Sequence, residues 1–269
     1  MTPLAYITID LNPMLGHLGP FPVRWYGLFM GLATLAGMVI VAVRFARRGI
    51  DPWRVFPMLI FAVPLGIIGA RLFNVIDDFG FYRSDPGAIV SLPLGGLAIY
   101  GVIVGGVGGI VAYCWWRRLP ILRVLDCLAL AIPVGQLIGR CANIVNGDTW
   151  GYATRLPWAF VYTNRNALLP ARLLGVPTQP TPVYEQLWLV VVIVLVWRIE
   201  PRLKTPGMAF VLYLGLYSFG RFFISFERVN NILFLGLREA QLVALIVLVL
   251  SVPAALWLRR RGSRASAGE

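Results

Sequence analysis

The run Gly139-Arg140-Cys141-Ala142-Asn143-Ile144-Val145-Asn146-Gly147-Asp148-Thr149-Trp150-Gly151 carries the strongest chemical signal in this chain. Arg140 and Asn143 stand three residues apart, so on a helix they share a face. Asn146-Gly147 and Trp150-Gly151 read as a helix stop followed by a turn. A guanidinium fork beside amide donors suits a phosphate oxyanion; an arginine reaching for an interface, with amides closing a helix end, is the other use of such a cluster. A second polar stripe is Tyr217, Arg221 and Arg228, spaced four and seven apart on one helical face, with Ser225 on it and Glu227 beside Arg228. Glu227 can pair with Arg228 or Arg221, but two arginines against one carboxylate leave positive charge over and point to an anion site. Three phenols stand at the starts of apolar segments: Tyr26 in Arg24-Trp25-Tyr26-Gly27, Tyr100 among glycines in Gly95-Gly96-Leu97-Ala98-Ile99-Tyr100-Gly101, and Tyr184 in Tyr184-Glu185. Trp and Tyr at such boundaries also serve as membrane-interface anchors.

The elements that must position these residues are membrane helices. Hydrophobic residues make up 58% of the chain and charged ones only 13%, against about 25% charged in a soluble domain. Crossing the hydrocarbon takes about 20 apolar residues per helix. Seven such segments are expected, near 25–43, 55–76, 95–116, 122–141, 183–199, 207–226 and 239–258. A β-barrel would need alternation, which Leu187 to Val196 lacks, and unclosed strands cannot satisfy their backbone in lipid. Gly101, Gly105 and Gly109 lie four apart, as do Gly27 and Gly31, which lets helix backbones approach closely. Residues 1–269 read as one polytopic domain. Its longest connection, 143–182, holds Pro157, Pro170, Pro177, Pro180 and Pro182, and Pro157 to Tyr162 has the alternation of a short strand.

The net charge of +12 does not indicate nucleic acid, because its distribution follows the membrane. Arg44, Arg47, Arg48 and Arg54 follow the first segment, Arg117, Arg118 and Arg123 the third, Arg198, Arg202 and Lys204 the fifth, and Arg259, Arg260, Arg261 and Arg264 the seventh. All fall on one side of a seven-span layout, which the positive-inside rule makes cytoplasmic. The expected fold is an all-α integral membrane protein with seven transmembrane helices, the N-terminus outside, the C-terminus cytoplasmic and a small extracytoplasmic loop region at 143–182. The first residues lack a basic stretch before an apolar core, so the first span, not a cleaved leader, is expected to direct insertion. Arg71, Arg140 and Arg221 lie within or at the ends of apolar segments, where a charge is costly and functional by default. The single histidine, His17, leaves no multi-histidine metal site. Cys114, Cys127 and Cys141 show no paired spacing and read as packing residues. A lipid transporter or flippase would also need a cationic cavity, but such proteins commonly show internal repeats, and none is visible. A scaffold without chemistry leaves the intramembrane arginines unexplained.

In this order and spacing the motifs resemble the prolipoprotein diacylglyceryl transferase family. The resemblance runs through Arg24-Trp25-Tyr26-Gly27, Gly69-Ala70-Arg71, Gly96 to Gly101 with Gly105-Gly106, the specific Gly139–Gly151 segment, Pro182-Val183-Tyr184-Glu185 and Tyr217 to Arg228. It implies a seven-helix enzyme of the bacterial cytoplasmic (inner) membrane. The enzyme would use phosphatidylglycerol and a prolipoprotein signal peptide whose lipobox cysteine attacks a glycerol carbon, and would need no cofactor or metal. It puts the lipid phosphate on Arg140 and Arg221 and carries over Tyr26 as a further catalytic group; Tyr100, a poor base at neutral pH with an ordinary phenol pKa of about 10, is expected as a proton relay. Asn143, Asn146, Gly147, Tyr217, Glu227 and Arg228 join the two arginines in substrate binding. The chain departs from the family pattern at Tyr100, where many members have a histidine proposed as base, at Asn74 and Asp78, where tyrosines are usual, and at Ser225, where a glutamate is expected and Glu227 stands two residues on.

Overall fold

The computed structural model describes residues 6–90, 99–229, 232–234 and 236–267. In chain order these form β1 (Ile7–Ile9), β2 (Met14–Leu18), β3 (Phe21–Arg24), α1 (Trp25–Arg47), α2 (Val55–Asp77), α3 (Phe79–Ser84), α4 (Ile99–Trp116), α5 (Ile121–Asn146), β4 (Phe160–Tyr162), α6 (Thr181–Ile199), α7 (Met208–Ile224), β5 (Ile232–Phe234), β6 (Leu237–Arg238) and α8 (Glu239–Ala267). Six helices, α1, α2, α5, α6, α7 and α8, are long and apolar enough to cross a membrane; α4 contributes a shorter apolar run over Gly101–Trp116. The exterior is that of a membrane protein: Ile60, Val104, Leu187 and Leu250 are all more than half exposed, an apolar surface no soluble monomer would carry. Pro64, Pro133 and Pro253 sit inside helices, as membrane helices tolerate when neighbours re-satisfy the freed carbonyls. The basic run after Leu258 does not leave the last helix as a coil; α8 continues through it to Ala267.

The chain forms two compact units, residues 41–124 and residues 1–40 with 125–269. In the first, α2 and α4 pack backbone against backbone. A Cβ at Gly101 or Gly105 would run into the carbonyl oxygens of Gly69 or Leu65, and one at Gly109 would lie 2.6 Å from the Phe61 oxygen. The four-residue spacing on α4 thus makes a contact ridge, whereas a Cβ at Gly27 or Gly31, equally spaced on α1, would meet nothing within 4 Å, and those two form no such ridge. Arg71 is buried at 7% exposure. Its Nε donates to the Ile89 carbonyl at 2.8 Å and Nη2 to the Ala88 carbonyl, with the guanidinium 5.4 Å from the Tyr82 ring centroid. The Tyr82 hydroxyl donates to Asn74 Oδ1 at 2.6 Å, so the segment after α2 is bound back onto that helix.

In the second unit a core of Ala129, Leu130, Val192, Val196, Ala209 and Tyr213 joins α5, α6 and α7. The buried Asp126 carboxylate on α5 accepts the backbone amides of Gly207 at 2.7 Å and Phe210 at 3.1 Å. It thereby satisfies orphan donors at the start of α7 and meets the positive end of that helix's dipole. The segment between α5 and α6 has its own small core of Phe160, Tyr162, Ala167 and Leu169. The strand expected between Pro157 and Tyr162 appears as β4, which pairs in parallel with β1 in the register Ile7 to Phe160, Thr8 to Val161 and Ile9 to Tyr162.

The glycine ridge gives a stability prediction. Gly105→Ala forces α2 and α4 apart and should cost about 2 kcal/mol. Gly108→Ala, whose added Cβ meets nothing within 4 Å, should be neutral or stabilise by about 0.5–1 kcal/mol. Thermal unfolding of the purified variants in one detergent measures both. Equal melting temperatures would mean that the ridge contributes nothing.

Candidate active site

The signature segment is shaped by the way α5 ends. A helix leaves its last four carbonyls without intrahelical donors, and here the following loop supplies them. Gly147 N donates to the Asn143 carbonyl at 2.9 Å, the Tyr162 hydroxyl to the Ile144 carbonyl at 2.9 Å, and Leu168 N to the Asn146 carbonyl at 2.9 Å. Burial, with Asp148 nearby, pushes the Tyr162 phenol up, so it stays a donor at neutral pH. Gly147 turns the chain out of the helix with φ at +68°, a left-handed conformation that side chains resist. A Cβ there would also press within 3.2 Å of the Tyr162 ring. The predicted helix stop is therefore real, and it folds the loop back over the polar end of α5.

Three polar side chains meet at that turn. Arg140 Nη1 donates to Asn143 Oδ1 at 2.9 Å, confirming that the two share a face. Asn143 Nδ2 and Asn146 Nδ2 then donate to the two Asp148 carboxylate oxygens at 2.8 and 2.9 Å. Asn146 is buried, and its Oδ1 has no partner among the described residues. That leaves a desolvated acceptor beside the turn, of a kind native proteins rarely leave unused. Tyr26, in the first turn of α1, lies within electrostatic reach of both Asp148 and Arg140.

The carboxylate that organises the arginines is Glu185, on α6. Arg140 Nε lies 2.5 Å from Glu185 Oε2, Arg221 Nη1 pairs with Oε1, and Arg228 Nη1 lies 3.5 Å from the same oxygen. One acid from α6 thus gathers a cation from α5, a cation from α7 and a third from the segment just after α7. Packing enforces this. The Trp188 indole, one turn along α6, lies over Gly220 of α7, where no Cβ would fit, and its Nε1 donates to the Leu216 carbonyl at 2.9 Å. Gln186 Nε2 reaches back to Cys141 Sγ at 3.1 Å and the Leu137 carbonyl at 3.3 Å on α5. Gly151 bridges to Arg228 in the antiparallel sense, which fixes the backbone that presents the third guanidinium.

Charge and access decide what this arrangement can do. Glu185 keeps 6% of its side-chain surface open, whereas Arg140, Arg221 and Arg228 keep 18%, 17% and 19%. The acid is enclosed and the cations can be reached. Three guanidiniums face Glu185 and Asp148, leaving one positive charge in excess. Burial first and the neighbouring Arg221 second pull Arg228 down to about 10, with Glu185 opposing; it is still protonated at neutral pH. A buried cluster with surplus positive charge is stabilised by an anion, and guanidinium forks match phosphate oxygens.

Of the residues singled out from the sequence, Arg140, Asn143, Asn146, Gly147, Arg221 and Arg228 converge here, with Tyr26 at the edge. Tyr217 is half-buried one turn before Arg221 and stacks on Tyr213 with ring centroids 6.0 Å apart. Glu227 does not take the role its position beside Arg228 suggests: its side chain is exposed and makes no ion pair among the described residues. Ser225–Glu227 form a single 3₁₀ turn and Arg228 is extended, so neighbours in sequence point apart. Tyr100 lies in the first turn of α4, and its side chain falls outside the described residues. Sequence reasoning assigned no role to Glu185, Asp148 or Arg238. Arg238 Nη1 donates to the Ser225 carbonyl and Nη2 to the Tyr152 hydroxyl at 2.7 Å, tying the Arg228 segment to the start of α8. Its signal was available: a cation just before a helix N-terminus opposes the dipole and calls for a reason.

The profile of the prolipoprotein diacylglyceryl transferase family matches residues 13–257. A Clostridium kluyveri protein named phosphatidylglycerol–prolipoprotein diacylglyceryl transferase is 33% identical over 261 residues, covering 94% of this chain and 99% of that one. Proteins of the same name from Dehalococcoides mccartyi and Synechococcus elongatus are 34% and 32% identical, with 96% of this chain covered in each case and 97% and 91% of the relatives. Because the match runs almost end to end and takes in every element that builds the Glu185 cluster, the chain belongs to the prolipoprotein diacylglyceryl transferase family.

Proposed function

We propose that this enzyme moves the diacylglyceryl group of phosphatidylglycerol onto the lipobox cysteine of a prolipoprotein, and that the arginines gathered by Glu185 hold the lipid phosphate. The observation that carries this reading is the enclosed acid with three reachable guanidiniums and one positive charge to spare. The cysteine sulfur attacks the glycerol carbon, the S–C bond forms, and the C–O bond breaks with its electron pair going to the phosphate oxygen. The leaving glycerol phosphate gains negative charge in that step, so preorganised arginines stabilise the transition state more than the bound lipid. A free thiol has a pKa of about 8.5, and nearby guanidiniums raise its ionised fraction, so no strongly basic side chain is required. Tyr100 serves as a relay for the thiol proton, and Tyr26 orients the reacting groups beside Arg140. Asn146 Oδ1 accepts a hydroxyl of the glycerol headgroup. Tyr217 and Glu227 line the approach of substrate.

The same reading makes α4 the third of seven spans, puts the N-terminus and the 143–182 loop outside, and places the whole polytopic chain in the bacterial cytoplasmic membrane. It is supported by the cations that follow the first, third, fifth and seventh segments. The membrane itself, the lipid and the signal peptide are then the partners.

Incubating the purified protein with phosphatidylglycerol and a lipobox peptide should add a diacylglyceryl mass to the peptide cysteine, read by mass spectrometry; an unmodified peptide would defeat the proposed activity. Arg140→Ala and Arg221→Ala should each lower turnover by about a hundredfold or more, and Arg140→Lys should also be poor, because a point charge does not replace the fork. Glu185→Gln should lower stability by about 3 kcal/mol, because three guanidiniums are then left with only Asp148 to oppose them. Near-normal turnover in both alanine variants would remove the phosphate from this site. For orientation, a single cysteine placed after Leu258 in an otherwise cysteine-free chain should resist a membrane-impermeant thiol reagent applied from outside, and one placed in 163–168 should react. The reverse labelling would invert the layout.

A further inference from the structure

A groove of about 460 Å³ runs between α7 and α8, lined also by Ile199, the last residue of α6, and by Leu203 four residues beyond it. It is independent of the Glu185 cluster and of the activity proposed above. On α8 its wall is Leu248, Ser251, Val252, Ala255, Leu256 and Arg259, the i, i+3, i+4, i+7, i+8 and i+11 positions of one helical face. On α7 the wall runs from Met208 to Phe219. Both faces cover eleven residues of rise, about 16 Å at 1.5 Å per residue, which is half the roughly 30 Å hydrocarbon core. The groove begins at Arg259, two residues before the end of the apolar span at Arg261, and ends near mid-membrane. Its length is that of one leaflet.

Its lining selects the occupant: apart from Ser251 and Arg259 every wall residue is apolar, which suits a hydrocarbon chain. The notch exists because small residues face each other across it: a Cβ at Gly215 would sit 3.4 Å from Ser251 Oγ, and Ala255 continues the same face. At the interfacial end, Arg259 is exposed and makes no hydrogen bond or ion pair among the described residues. Arg202 and Lys204 lie on the connection that follows α6, so the region is cationic beyond the one side chain. An apolar slot one leaflet long, closed at headgroup depth by an unpartnered guanidinium, matches an amphiphile with one anionic head and a straight chain.

We propose that this groove is a binding site for an anionic phospholipid of the leaflet that meets Arg259, one acyl chain lying between α7 and α8 and the phosphate on the Arg259 guanidinium. Such a lipid would brace α7 against α8 without taking part in the reaction. Native mass spectrometry of the full-length protein in a non-ionic detergent, titrated with dioleoyl phosphatidic acid, tests it. In an Arg140→Ala/Arg221→Ala background, which removes the phosphate site at Glu185, the protein should retain one phosphatidic acid that a further Arg259→Gln binds about tenfold more weakly, and dioleoyl phosphatidylcholine should bind that background about tenfold more weakly and be indifferent to the Arg259 change. Ala255→Trp, which fills the slot, should also lose the retained lipid. Since the tryptophan variant could disturb α8 itself, Arg259→Gln, at an exposed position, decides the matter. Unchanged phosphatidic acid binding in Arg259→Gln, equal retention of phosphatidylcholine, or an Ala255→Trp variant that keeps its lipid but loses a dimer would each overturn the assignment.

Discussion

One buried carboxylate governs the polar end of this molecule. Arg140 comes from a segment far in sequence from Arg221 and Arg228, and without an acid between them three guanidiniums brought together would repel one another strongly in a medium of reduced dielectric. Glu185 makes their convergence possible, and in doing so brings the ends of α5 and α7 against α6. The Trp188 contact with Gly220 and the Gln186 hydrogen bonds to α5 lock the same helix on either side of the acid. Because one carboxylate serves three cations, the cluster is neither neutral nor self-satisfied, and its remaining hydrogen-bond capacity faces outward.

The second requirement is that the polar end of α5 be closed without water. The loop that follows it does this with its own residues, giving donors from Gly147, Tyr162 and Leu168 to successive helix carbonyls and packing Phe160, Tyr162, Ala167 and Leu169 beneath itself. Its long, proline-rich sequence therefore reflects a cap with a small core, in keeping with the rule that long ordered connections are functional. The pairing of β1 with β4 adds the N-terminal segment to that cap.

What the sequence reveals here is whatever depends on local period. The apolar runs, the shared face of Arg140 and Asn143, the stop at Gly147, the glycine ridge of α4 and the short strand before Tyr162 all follow from spacing within a few residues, and each is present. The Glu185 hub does not follow from spacing, since its partners lie 45, 36 and 43 residues away. Glu227 was the tempting local partner for Arg228, and the 3₁₀ turn at Ser225–Glu227 turns it to the surface. Ser225, where the family usually has an acid, donates its hydroxyl to the Arg221 carbonyl at 2.6 Å while its own carbonyl takes Arg238. Local sequence thus located the anion site but not the charge that balances it.

Arg71 and Arg140 show why residue type and depth are insufficient to assign a role. Both occur in apolar helices, and both would be judged functional by the cost of burying charge. Arg71 is directed onto the carbonyls of Ala88 and Ile89 and lies against the Tyr82 ring, so its guanidinium fastens a connection to a helix. Arg140 instead joins a group in which cations outnumber acids and each arginine side chain stays partly exposed. Carbonyl dipoles can satisfy the donors of a buried arginine, leaving no directional demand for a ligand; a shared carboxylate satisfies only part of three arginines and leaves such a demand. Counting acceptors against donors therefore separates the bracing arginine from the ligand-seeking ones, where hydropathy treats them alike.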